Sequence, residues 1–531
     1  MTQHQARSTR GRARSAALVT AIVAAILLAA PATASAETFV VETTLDPGAM
    51  VVPPWYGCSS PDPDDPTRCF DSFNSCTLNT TESLCGLRDA IAAANESPGP
   101  DVVLLPSGSY SLTYGTLHVE DDLLIERLGD GVVTIDGGGD TGFWGVIRTL
   151  ADVTIRNVTI TGGSGSRGGG VHAGGGSLLL EHVVVTGNTT SNGGGGVHVG
   201  SFASARLVRT SVTQNATGGD GGGIEAWGAL ELAESSVAGN TAGSTGGGVV
   251  FEGSSLLVGG STISGNTAQT GGGLAITSAE SALVRNTTIS GNTAEWGGGA
   301  YLESEPLLAH VTIAANTADE GGGIANNGYP ELRSSIVAGN GGGDCLAWFD
   351  FRELTSLGGN LDGDGSCDLG HASDKSAVNP QLGPLADNGG PTWTHALAAS
   401  SPAVDAAFGS CPATDQRGIA RPQGAACDSG AYERVVVSAP DPGPTARERL
   451  DALRTAVSVL AVQPSGIRTA LLAKLDAAAA ALDRGDVPAA CSALQDFVNQ
   501  VKAQSGKKLP ASTASALIAQ AQVIRQALGC A

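Results

Sequence analysis

Residues 221–240 read GGGIEAWGALELAESSVAGN, and residues 246–266 read GGGVVFEGSSLLVGGSTISGN. Laid one over the other they agree in four features. Each opens on a Gly triplet, continues into a short β-branched segment, and carries aliphatic residues eight and three positions before a closing Asn. The pattern extends both ways along the chain. Triplets begin at Gly168, Gly194, Gly221, Gly246, Gly271, Gly297 and Gly321, separated by 24–27 residues. Asn188, Asn215, Asn240, Asn266, Asn292, Asn316 and Asn340 make a second ladder. Eight residues before them stand Leu180, Leu207, Leu232, Val258, Val284, Leu308 and Leu332. Three before stand Val185, Val212, Val237, Ile263, Ile289, Ile313 and Val337.

Self-similarity at a fixed period marks a solenoid, and short β-branched runs broken by Gly and Asn read as strands and turns. Strands about 4.8 Å apart bring equivalent residues of successive rungs into contact, so alike aliphatics stack into a dry interior. The Asn is expected at a bend, where its side chain tolerates a left-handed backbone. Its amide also offers a donor to one neighbour in the ladder and an acceptor to the other. A nonapeptide calcium roll, suggested by Gly218-Gly219-Asp220-Gly221, fails because its period is about 9. The expected fold is mainly β. It is a single-stranded right-handed parallel β-helix with rungs of about 25 residues, followed by a small all-α four-helix bundle.

The flanks are read from composition. Arg7, Arg10, Arg12 and Arg14 precede an apolar run from Ala16 to Ala30, and Ala34-Ser35-Ala36 suits a signal peptidase, so residues 1–36 read as a signal peptide. Its loss removes four arginines and no acid and takes the net charge from −22 to −26. A chain this acidic repels nucleic acid and anionic lipid, and no later stretch is apolar enough to span a bilayer. An extracellular or cell-surface protein that is not integral to the membrane is expected. Ten cysteines, an even number, all lie in the mature part and read as disulfides of an oxidising compartment. Their grouping suggests Cys345–Cys367, Cys411–Cys427 and Cys491–Cys530, with Cys58, Cys69, Cys76 and Cys85 paired among themselves.

Residues 37–100 then supply an N-terminal strand, a Cys-rich loop and a capping helix over Leu84 to Asn95. Residues 101–344 form the β-helix, and 345–436 the C-terminal rungs and a cap that wraps the last rung. After a Pro-rich linker at 437–444, glycine gives way to alanine and leucine. Helical stripes over 445–462, 466–484, 487–505 and 510–529 predict the bundle.

Three segments carry resemblances. Cys85-Gly86-Leu87-Arg88-Asp89-Ala90-Ile91 with Ala94-Asn95 resembles the CSLREA motif that opens many secreted bacterial β-helix proteins, with Gly for Ser and Asp for Glu. Asn379-Pro380-Gln381-Leu382-Gly383-Pro384, Asp387-Asn388-Gly389-Gly390-Pro391-Thr392, Ser401-Pro402-Ala403-Val404-Asp405, Asp415-Gln416-Arg417-Gly418 and Asp428-Ser429-Gly430-Ala431-Tyr432-Glu433 resemble, in order, the closing region of choice-of-anchor Q proteins. The final helices, with Asp496-Phe497-Val498-Asn499-Gln500-Val501 and Ser505-Gly506-Lys507-Lys508-Leu509, are similar to the FIMAH-type module of secreted bacterial proteins. These resemblances imply a surface or secreted protein with an attachment module, and carry over no catalytic residue.

Chemistry is sought on the outward face. The residue after each β-helix turn runs His172, His198, Glu225, Val250, Ala275, Tyr301 and Ala325. The first three, at steps of about 4.8 Å, have the groups to move a proton or hold a metal. The competing reading is solvent decoration, since the column dissolves into Val and Ala and lacks the second carboxylate that glycoside hydrolysis needs. Trp227, Trp296 and Tyr301 are candidate platforms for sugar rings, against the alternative of packing on neighbouring loops. Asp362, Asp364 and Asp368 alternate as calcium ligands do, although Cys367 stands where the calcium loop wants Gly. No other cofactor is expected. The seven ladder asparagines are structural. The main reading is a non-catalytic, adhesin-like rod presenting a ligand-binding face to carbohydrate, cell envelope or a surface protein. The alternative is a polysaccharide lyase or glycoside hydrolase.

Overall fold

The computed structural model describes residues 36–46, 85–139, 141–347, 354–435, 444–462 and 464–530. Residues 1–35 of the expected leader, Cys58, Cys69, Cys76, Trp348 and linker residues 436–443 lie outside these. The chain divides into two compact units between residues 435 and 436.

The first unit is a parallel β-solenoid. One wall runs, rung by rung, through Leu117–Val119, Ile147–Thr149, Val171–Ala173, Val197–Val199, Ile224–Ala226, Val249–Phe251, Leu274–Ile276, Ala300–Leu302, Ile324–Asn326 and Cys345–Ala347. A second wall runs from Thr38–Val40 to Thr355–Ser356 and a third from Gly108–Ser111 to Leu361–Asp362. The aliphatic columns stack as their spacing demands. Leu207 pairs with Leu232, Leu232 with Val258, and Val258 with Val284, all with no exposed surface. Val237, Ile263, Ile289 and Ile313 do the same one strand on.

The asparagine ladder is continuous. Asn215 donates its backbone N–H and its Nδ2–H to Oδ1 of Asn240, Asn240 does likewise to Asn266, and Asn266 to Asn292, all at 2.9–3.0 Å. The series starts at the Gly163 N–H, which donates to Asn188, and ends where Asn340 donates to Oδ1 of Asp344. The left-handed backbone expected at each Asn lies instead one residue earlier, at Gly187, Gln214, Gly239, Gly265, Gly291, Ala315 and Gly339, with φ of 55–73°. The turn is made by the preceding residue, which leaves the Asn free to aim its amide along the axis. A second ladder of hydroxyls, five residues before the asparagines, joins Thr210, Ser235 and Ser261 in the same way.

Helix α1, Leu87–Glu96, buries Leu87, Ala90, Ile91, Ala93 and Ala94 against the first strands. Arg88 fastens it through bonds to the carbonyls of Gly115 and Thr116. Cys345–Cys367 and Cys411–Cys427 are disulfides, and Cys85 is disulfide-bonded too. The closing segment does more than wrap the last rung. It runs back along the flank, from Ser429 donating to the Gly359 carbonyl and Gly430 N–H to that of Ser334, through Gln416 beside Thr288 and Thr262, to Thr392 donating to the Gly260 carbonyl. The third wall's outward polar column of Thr262, Thr288 and Thr312 supplies this seam with partners, so a polar rung face becomes an interior one. Arg421 and Glu433, both without exposed side-chain surface, are paired beneath it at 3.0 Å.

The second unit contains α2 (Ala446–Ser458), α3 (Gly466–Asp483), α4 (Val487–Gln504) and α5 (Ala511–Ala527). Each buries one stripe, with Leu453, Leu475, Leu494, Phe497, Leu517 and Ile524 in the shared core. Arg447 at the start of α2 bonds Asp483 at the end of α3, and Cys491–Cys530 joins the start of α4 to the end of α5. The neighbours are therefore antiparallel. No helix among the described residues is long and apolar enough to cross a membrane.

Candidate functional site

The column bearing His172, His198 and Glu225 faces outward from the first wall and is nevertheless buried, with 6%, 2% and 3% of their surfaces exposed. The expectation of a solvated exterior face is corrected here. The covering layer is the stretch between each Asn and the next Gly triplet, which folds back over the wall and includes a four-stranded sheet of Ser164–Arg167, Thr189–Gly193, Ala216–Thr217 and Thr241–Ala242. Register extends the column one rung earlier to Arg148, opposite His172.

Within the seam the groups engage one another. The His172 and His198 rings stack, with centroids 4.8 Å apart and planes at 15°. His198 Nδ1 lies 2.8 Å from Glu225 Oε2, and Arg167 reaches both Glu225 oxygens at 3.3 and 3.4 Å. Trp144 packs on His172 and under Arg148, while Trp227 meets the edge of His198 and carries Arg167 over its face at 4.1 Å. Gly193 leaves room for this carboxyl, because a Cβ there would stand 2.2 Å from Glu225 Oε2 and displace it.

Burial sets the protonation states. It pushes His172 down to about 3, helped by the nearby charges of His198, Arg148 and Arg167. It pushes His198 to about 3 as well, with Arg167 adding to the effect. It lifts Glu225 to about 7 against the pull of Arg167, and Asp220 reinforces the rise. A carboxyl poised near neutrality beside an imidazole can shuttle a proton. It is also what a dry seam does to a carboxyl.

The two histidines and the glutamate do not converge as metal ligands. Among the described residues the one trio whose ligand atoms lie within 4.8 Å of each other is Asp344, Asp362 and Asp364. Asp344 replaces Asp368, which is exposed and outside the cluster. Every oxygen of the trio already accepts a bond. Asp344 accepts from the backbone N–H of Asn340, Gly363 and Asp364, Asp362 from those of Asp364, Gly365 and Cys367, and Asp364 from those of Asp344 and Ser366. Burial raises the carboxyls of Asp344 and Asp362. The same oxygens thus hold the turn that ends the asparagine ladder.

Trp227, Trp296 and Tyr301 are all half-buried, and Tyr301 donates to Glu303 at 2.7 Å. The aromatics that meet solvent are others, with Phe202 92% and Phe143 50% exposed. Phe202 stands in the turn before Ala203–Val208, on the second wall. There an open groove of about 510 Å³ crosses five rungs between Asp152 and Leu257. Leu179, Ser204, Arg206 and Glu231 line it, the last two as an ion pair at 3.0 Å. The cross-rung pairs Arg206–Glu231 and Arg209–Glu234 were legible in the sequence. The sealing of the first wall and the opening of the second were not.

Residues 145–348 match the family model of the right handed beta helix region. The β-helix is accordingly right-handed, and its matched stretch contains the seam and the groove. Residues 456–526 match the FIMAH domain model. No curated protein and no solved structure matches the chain.

Proposed function

We propose that this is an exported or cell-surface β-helical protein, a non-catalytic rod that holds an extended ligand along its second wall and is attached through its FIMAH module. The observation that supports this best is the division of labour between the walls. The side chains able to do chemistry are sealed and spent on one another, whereas the groove is open over about 20 Å, four steps of about 4.8 Å. Its alternation of hydroxyls, aliphatics and one ion pair, with the exposed Phe202 two residues before its Ser204 in the chain, suits a polymer that presents rings and hydroxyls together, so carbohydrate is the ligand class.

The test is a polysaccharide panel read two ways, for retention of the mature protein and for new reducing ends or unsaturated products. Retention without products, weakened at least tenfold by Phe202→Ala, is the expected result. The second reading, a polysaccharide lyase or hydrolase, draws on Glu225, His198 and Arg167. New products that disappear in His198→Ala would establish it and overturn the first.

A further inference from the structure

The acidity of the whole chain hides an oppositely charged end. Residues 445–531 hold ten basic and six acidic side chains, and no acid follows Asp496. The acids sit where the structure uses them. Asp451 and Asp483 pair with Arg447, Asp476 with Arg454, and Asp496 with Lys474. Glu448 and Asp486 bond the N-termini of α2 and α4.

Because the helices alternate in direction, the connections α2–α3 and α4–α5 lie at the same end of the bundle. That end carries Arg468, Lys502, Lys507 and Lys508, and no acid stands between residues 455 and 473 or after 496. The three lysines are exposed and have no acidic partner among the described residues. Arg468 bonds the Leu460 carbonyl at 3.3 Å. Beside them Val459 is 77% exposed, the most exposed large apolar residue of the bundle.

We infer that this end of the FIMAH module docks on an anionic lipid surface. The inference rests on the attachment role proposed above and names its partner. Basic side chains around an exposed apolar residue match a bilayer interface, where headgroup phosphates meet hydrocarbon. A soluble polyanion would have no use for the valine. With a Debye length of about 10 Å at 0.1 M salt, the surface meets this local charge rather than the chain's total.

The experiment is co-sedimentation of the full mature chain with vesicles of phosphatidylcholine, with and without phosphatidylglycerol, and with isolated cell envelopes. Binding that requires phosphatidylglycerol and fades with salt is expected. The triple variant Lys502→Gln/Lys507→Gln/Lys508→Gln should partition on the order of 100-fold less, about fivefold per lysine, with an unchanged circular dichroism spectrum. Val459→Ser should weaken binding to vesicles and leave binding to dextran sulfate unaltered. Equal sedimentation with neutral vesicles, or a triple variant as good as wild type, overturns the lipid assignment. If wild type and variant alike are retained on envelopes but not on vesicles, attachment stands and the lipid partner falls. If neither is retained anywhere, both fall.

Discussion

Truncating one rung of the asparagine ladder, Asn240→Ala, should cost about 2–4 kcal/mol. The side chain is fully buried and takes part in four bonds. Its Oδ1 accepts from the N–H and Nδ2 of Asn215 at 2.9 and 3.0 Å, and its Nδ2 donates to the Val212 carbonyl and to Asn266 Oδ1, each at 2.9 Å. Two neighbouring side chains keep a partner after truncation. Asn215 Nδ2 still reaches the Val185 carbonyl, and Asn266 Oδ1 still accepts the Asn240 backbone N–H. The Asn215 N–H loses its partner, whereas the Val212 carbonyl keeps the ladder bond from the next rung, where Val212 pairs with Val237. An orphaned buried donor costs about 1–3 kcal/mol, and the missing atoms leave a cavity that adds to it. Contacts in a solenoid are between nearest neighbours, so the damage is local. Equilibrium denaturation in guanidinium chloride measures the total, and amide exchange at Asn215 locates it. Asn340→Ala, at the half-buried end of the ladder, should cost less. A loss below about 1 kcal/mol for Asn240→Ala, with the Asn215 amide exchanging as slowly as in wild type, would refute the ladder as a source of stability.

Other outcomes follow from single positions. Ala315 has a φ of 59° where its column otherwise holds mostly Gly, so Ala315→Gly should stabilise by roughly 1 kcal/mol, and Gly239→Ala should lose about as much, in the same denaturation assay. His310 is held at about 3 by burial and by Arg421. Below pH 6.5 the unfolded chain binds a proton that the folded one refuses, so its contribution is complete above 6.5 and is lost on acidification toward 3, at up to about 1.4 kcal/mol per pH unit. His310→Asn should flatten the acid limb of a stability–pH curve by that slope, and an unchanged limb would count against the assignment. Glu225, raised to about 7, works in the opposite sense: its share of stability declines as pH climbs from 4.5 through 7. Opening Cys491–Cys530, which spans 39 residues, by Cys491→Ser with Cys530→Ser should cost the helical unit about 4 kcal/mol and leave the β-helix transition where it was, as two-step calorimetry would show. Chelating calcium with EGTA should leave the β-helix midpoint unmoved, because the Asp344, Asp362 and Asp364 oxygens are already bonded; a fall in midpoint restored by calcium would show an ion at that turn.

What the amino-acid sequence determined by itself is whatever repeats. Leu232 above Leu207 and below Val258 needs only a period near 25 residues and a fixed strand spacing, and the same arithmetic placed the asparagines, the Arg206–Glu231 pair and the helical stripes of the second unit. Two columns went unread: the hydroxyls five positions before five of the seven asparagines, and the left-handed residues one position before. Both have mixed composition, Thr and Ser with Val183 and Val311 in the first and Gly with Gln and Ala in the second, so only the structure reveals what their members share.

The tertiary structure alone decided which outward faces stay wet. Alternation along a strand says that His198 and Glu225 point away from the aliphatic interior. It does not say that Arg167, Trp144 and the outer turns will close over them, because those contacts join residues from different rungs at no repeating offset. The same holds for Asp344 meeting Asp362 and Asp364, and for the strap of residues 379–433 doubling back as far as Gly260. A solenoid's interior is dictated by translation along its axis, while its exterior depends on unique segments folding across the rungs, and burial there, not residue type, sets the charge states on which any chemistry would depend.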